Sequence, residues 1–103
     1  MPAYCLFDNL KINDYQKLER YKNEVAPLVE KFGGRYVVLG GNVELKEGDW
    51  KPTFPVMIEF PTLQRANEWY NSEEYRPFKA LRQSAGTYNA VFCEELPPQE
   101  AAS

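Results

Sequence analysis

RYVVLGGNVELKEGDWKPTFPVMIEFPT, residues Arg35 to Thr62, is the stretch from which the architecture can be read. It begins and ends with short apolar runs. Arg35–Leu39 predicts one strand and Val56–Phe60 another. Between them Gly40-Gly41 invites a bulge or bend, Val43 to Lys46 extends the first strand, and Gly48-Asp49 make a turn. Pro52 and Pro55 cannot donate to a ladder, so pairing should resume only at Val56. Pro61-Thr62 then opens a helix, with Thr62 as its cap.

Upstream, Ala3–Phe7 is an apolar run and predicts the first strand. Asp14 is placed to cap a helix. Tyr15, Leu18, Tyr21, Val25, Leu28 and Phe32 recur along it at helical spacing and mark its buried face. Pro27 lies inside that pattern and predicts a kink or a restart. Gly33-Gly34 ends the helix. Downstream, Leu63, Ala66 and Tyr70 share a helix face until Asn71-Ser72 breaks it. Ser72 can cap a further helix, with Glu73 and Glu74 in the first turn and Tyr75, Phe78, Leu81 and Arg82 on one side. Pro77 implies either an irregular first turn or a helix that starts there, and Gly86 stops it. Ala90–Cys93 is the centre of a last strand. The order predicts an α+β, ferredoxin-like βαββαβ domain with a four-stranded antiparallel sheet over residues 1–96, and a disordered tail over 97–103.

None of these strands alternates apolar and polar residues. Tyr4 to Phe7, Tyr36 to Leu39, Val56 to Ile58 and Ala90 to Cys93 are unbroken runs, so both faces of the sheet should be covered. Helices can cover only one face in this topology. A second copy of the sheet is the simplest cover for the other, and the expected assembly is a homodimer of two face-to-face sheets.

Composition narrows the chemistry. The chain has 103 residues, a net charge of −3 and no histidine, which excludes His-based triads and removes the commonest metal ligand. Without a basic block there is no nucleic-acid footprint, and without a long apolar run there is no membrane span. Cys5 and Cys93 form no CxxC pair, so the expected compartment is the cytoplasm, with both thiols reduced. No glycine-rich phosphate loop is present, since GGNVELKEG lacks GxGxxG spacing.

GGRYVVLGGNVELKEGDWKP, IEFPT, WYNSEEY and ALRQ together resemble the bacterial family called domain of unknown function thirteen-thirty, over nearly the whole chain to Glu94. The resemblance implies membership of the dimeric α/β-barrel superfamily. Relatives there include cofactor-free monooxygenases, haem-associated enzymes, lactone isomerases and stress-response proteins, so it implies a fold and an assembly rather than an activity. One departure stands out. The family often has an Arg two places after the Pro of its EGDW motif, where this chain has Phe54.

The candidate site residues follow from their positions. Glu59, flanked by Ile58 and Phe60 on a central strand, should point away from the helices. It is either a general acid/base in a cavity or half of an ion pair with Arg35 or Arg82. Structural ion pairs perturb carboxylates too, which weighs toward the pair. Arg35 and Arg82 are candidates for orienting an anionic group, though local packing and pairing is the plainer role for each. Tyr70 and Tyr75 could line a pocket, and Trp69 reads as core. Trp50 could gate a ligand or pack on a partner subunit. Asp8 could be a second acid, but its plainer role is to start the turn after the first strand. No cofactor or metal is expected. The functional expectation is a small homodimer that binds a small organic molecule beside the sheet, with cofactor-free acid/base or oxidative chemistry as its possible activity. The alternative is a non-catalytic structural or stress-response dimer.

Overall fold

The computed structural model of the chain describes residues 1–97. The tail expected to be disordered lies, past Pro97, outside the described residues. Seven elements follow one another: β1 (Ala3–Ile12), α1 (Tyr15–Lys31), β2 (Arg35–Leu39), β3 (Pro55–Phe60), α2 (Leu63–Tyr70), α3 (Arg76–Ala85) and β4 (Gly86–Glu94). The strands form one antiparallel sheet in the order β2-β3-β1-β4. This is the expected ferredoxin-like arrangement.

Local chemistry sets most element ends. Asp14 is extended, and its Oδ1 accepts from the Lys17 backbone N–H at 3.0 Å. Thr62 Oγ1 does the same for Arg65 at 3.0 Å. Each satisfies a donor that has no partner inside its helix. Gly33, with φ 87°, turns the chain out of α1. Pro77 falls in the first turn of α3, so the helix starts there and not at Ser72. Ser72 Oγ instead accepts from the Tyr75 N–H at 3.1 Å, within the turn before α3.

Of the kink or restart expected at Pro27, the restart does not occur: helix α1 is continuous from Tyr15 to Lys31. Pro27 and Asn23, whose carbonyl loses its donor, are both exposed, so water can take the vacant acceptor. Val43 to Lys46 forms no strand, because β3 begins only at Pro55 and leaves nothing beside it to pair. Strand β1 does not end at Phe7: Asp8 and Asn9 continue it, pairing with Asn89 and Tyr88 of β4, and Asp8 therefore starts no turn.

The register lays out both sheet faces as cross-strand rows. Toward the helices run Tyr36–Ile58–Cys5–Phe92 and Leu39–Val56–Phe7–Ala90. Against them pack Tyr21, Val25, Leu28 and Val29 of α1, Ala66 and Trp69 of α2, and Tyr75. Trp69 is the hub. Its ring lies 5.3 Å from Phe60 and 4.3 Å from Tyr75, and meets Phe7 edge-on at 6.3 Å. On the opposite face, one row is Val38–Met57–Leu6–Val91 and the next is Arg35–Glu59–Tyr4–Cys93. Strand β1 is thus flanked by β3 and β4. The start of β1 and the end of β4 meet there: Ala3 pairs with Glu94, and the Glu95 N–H donates to the Pro2 carbonyl at 2.8 Å.

Among the described residues, no helix is long and apolar enough to cross a membrane, and no group of three or more His, Cys, Asp and Glu side chains could hold a metal ion.

Candidate functional site

A cavity of about 160 Å³ opens between α1 and the helix-facing side of the sheet. Its floor is the Leu39–Val56–Phe7 row with Ile58 and Tyr36, its roof is Leu18 and Tyr21 of α1, and Phe54 closes one side. Asn9 and Arg82 add polar atoms inside, while Tyr15, Glu19 and Lys22 border it from α1. Glu19 and Lys22 are three residues apart on the helix and lie 3.6 Å from each other as an ion pair.

Phe54 is set in place by backbone geometry. Gly40 has φ +69°, and a Cβ there would lie 2.5 Å from the Phe54 ring. The Gly40 N–H also donates to the Pro55 carbonyl at 2.8 Å, tying the start of the long connection to its end. Only glycine combines this dihedral with this approach.

The polar centre is a buried triad. The Tyr21 and Tyr75 hydroxyl oxygens are 2.8 Å apart, and Arg82 lies near enough to Tyr75 for the two to shift each other's titration. Arg82 is 5% exposed. Its guanidinium carbon lies 5.2 Å from the centre of the Phe7 ring and 5.0 Å from that of Tyr88. Among the described residues no carboxylate pairs with it, and its Nε is buried without a hydrogen-bond partner. Burial works against the Arg82 charge, but the Tyr75 and Tyr21 oxygens outweigh it and its pKa is raised. Burial raises Tyr21, reinforced by Tyr75. Burial also raises Tyr75, although Arg82 and the Tyr21 hydrogen bond pull it down. Tyr36 is pushed up to about 12 by burial and then by Tyr75. At neutral pH these phenols are proton donors, not bases.

The residues singled out from sequence are distributed unevenly around this cavity. Arg82 lines it, and Tyr75 stands behind it, one hydroxyl away through Tyr21. Tyr70 does not line it: its ring packs on Tyr75 at 5.7 Å and Phe92 at 5.3 Å, beneath the Lys79 ammonium at 4.2 Å. Trp50 is exposed and does not border the cavity; its indole N–H donates to Asp8 Oδ2 at 2.9 Å. Glu59 and Arg35 lie on the opposite sheet face, joined by two hydrogen bonds of 3.2 and 3.3 Å. Glu59 therefore does not act in this cavity, and Arg35 cannot orient a ligand there. Sequence reasoning missed Asn9, Tyr36 and Phe54, and took Tyr21 for plain core. Tyrosines at buried helix and strand positions were the one available signal, since a buried ring still needs a partner for its hydroxyl.

Known structures share this fold. A protein of unknown function from Rhodopseudomonas palustris superposes with a TM-score of 0.73 at 20% identity, over 94% of this chain and 84% of its own. SnoaB, a cofactor-independent oxygenase from Streptomyces nogalater, superposes with a TM-score of 0.59 at 11% identity, over 95% and 96% of the two chains. An EthD family protein from Bacillus halodurans C-125 gives 0.61 at 16% identity, over 93% and 100%. At these identities the likeness is one of fold. No curated protein matches the sequence. Residues 2–96 match the family described as Domain of unknown function (DUF1330), and the chain belongs to that family.

Proposed function

We propose that the protein is a homodimer that binds one small organic molecule per subunit in the cavity between α1 and the sheet. The observation that carries this reading is the cavity itself: an apolar hollow into which a few polar atoms converge from β1, α1 and α3. That a structural neighbour is a cofactor-independent oxygenase supports small-molecule chemistry on this fold by analogy alone. Within the cavity, the groups suited to chemistry are donors. Tyr21 and Tyr36 can donate a hydrogen bond to a developing oxyanion, and Arg82 can hold its charge.

The dimer rests on the second sheet face. Val38, Met57, Leu6 and Val91 form an apolar row across all four strands, and among the described residues no helix packs on it. Val91 is 52% exposed in the single chain. Two copies pairing through this row would bury it on both sides. The cytoplasm is the compartment proposed, in keeping with two free cysteines.

Native mass spectrometry of freshly purified protein, followed by denaturing extraction, tests the binding reading. The expected result is a dimer carrying a small molecule that is released on unfolding. Apo protein that also takes up nothing from a soluble extract of metabolites would overturn it.

A further inference from the structure

Resting on the cavity reading above, we infer that the ligand is a small monocarboxylate whose apolar body is about the size of a single ring and whose carboxylate seats on Arg82.

Donor counting leads there. Tyr21 and Tyr75 share one hydrogen bond, and either hydroxyl can be its donor. Two phenols bring two protons, so one remains uncommitted whichever way the bond points. Arg82 Nε has no acceptor, and the Tyr88 hydroxyl beside the guanidinium has no partner either. The buried centre thus holds an excess of donors and, among the described residues, no free carboxylate, since Glu19 at the cavity border is paired with Lys22. A carboxylate is the complement: it only accepts, and its two oxygens offer about four lone-pair sites. An arginine fork and a carboxylate also match in shape.

Charge and size narrow the class. Arg82 is the one buried cation on the cavity, because Lys22 at its border is already paired with Glu19. One uncompensated positive charge suits a monoanion better than a phosphate dianion. The remaining wall is Phe7, Leu18, Phe54, Val56 and Ile58, which requires an apolar body. The cavity volume of about 160 Å³ sets its size. An apolar protein cavity of about 150 Å³ takes one benzene molecule.

Benzoate and its neutral isostere benzamide are the probes, titrated into the full chain and followed by amide-resolved NMR and calorimetry. Benzoate should bind saturably, shift the signals of Asn9, Tyr21 and Tyr36, and bind at least about tenfold tighter than benzamide. Arg82→Met should abolish that preference, and Arg82→Lys should retain part of it by keeping the charge without the fork. If benzamide binds as well as benzoate, the anion inference falls while the cavity reading stands. If neither saturates at millimolar concentration, both fall. A benzoate preference that survives in folded Arg82→Met removes Arg82 as the anchor. Should neither variant fold, the ratio of the two affinities in the unaltered protein decides.

Discussion

Arg35 and Glu59 face each other across the β2–β3 ladder, with Nη2 3.2 Å from Oε1. In a single chain the Arg35 side chain is 69% exposed and that of Glu59 26%. An exposed pair of this kind contributes under about 1 kcal/mol. Its row lies beside the apolar row that the proposed dimer covers. Where the proposed dimer covers this row as well, the pair is buried, and removing one partner costs about 3 kcal/mol or more. Glu59→Gln is therefore expected to lower dimer stability by ~3 kcal/mol in denaturant titration. A loss below ~1 kcal/mol would mean that this face stays in water.

Sedimentation reads the same face directly. The expected mass at micromolar concentration is twice the 12.0 kDa of the chain. Leu6→Lys, which puts a charge in the middle of the apolar row, should give a monomer with the same fold.

The wall residue Phe54 offers a controlled pair of substitutions. Gly40 and Gly41 both have positive φ, at +69° and +86°, but a Cβ at Gly41 meets nothing within 4 Å. Alanine at either position should destabilise by roughly 1 kcal/mol or more through backbone strain. Only Gly40→Ala should also displace the Phe54 ring and weaken benzoate binding. Equal affinities in the two variants would show that Phe54 does not shape the cavity.

Alkaline pH should unfold the protein through its buried acids. The Cys5 thiol is pushed from 9.0 up to about 12 by burial, with Cys93 adding to it. Tyr36 moves from 10.0 to about 12. Both folded values exceed the unfolded ones, so this contribution is fully present below pH 9 and is lost as pH climbs toward about 12. Urea midpoints measured from neutral to strongly alkaline pH should be flat and then fall, and Cys5→Ala should soften the fall. A midpoint unchanged across the alkaline range would contradict the burial of these groups.

The phenol pair has its own cost. Tyr75→Phe leaves the Tyr21 hydroxyl without its partner and removes an oxygen that favours the Arg82 charge. A loss of about 1–3 kcal/mol is expected by thermal or urea unfolding. Tyr15→Phe, at an exposed position, serves as the neutral comparison.

The fold was legible wherever its cause was local. Asp14 and Thr62 announce helix starts because a cap acts within three residues, and Arg35–Leu39 was readable from its apolar run alone. What failed depended on distant chain. Leu10 to Ile12 looks polar and mixed, yet it is strand because β4 lies beside it. Val43 to Lys46 looks like strand, yet nothing lies beside it to pair. At the site, Glu59's direction followed from strand alternation, and its partner Arg35 lay among the two arginines considered. The cavity was harder to foresee. A tyrosine with a matched hydroxyl and one with a spare proton have the same letter and the same spacing, and only the packing of α1 over β2 and β3 tells them apart.

The meeting of Pro2 with Glu95 has a consequence for biosynthesis. β1 is made before β4, which is one of its two neighbours in the sheet. Until Glu94 emerges, the interior strand of the finished sheet is an edge, with its backbone groups and Leu6 open to any passing chain. The sheet therefore cannot close until β4 has been made, and a rearranged chain in which β4 directly precedes β1, opened in the 40–54 connection, would change that order while keeping the strand pairing.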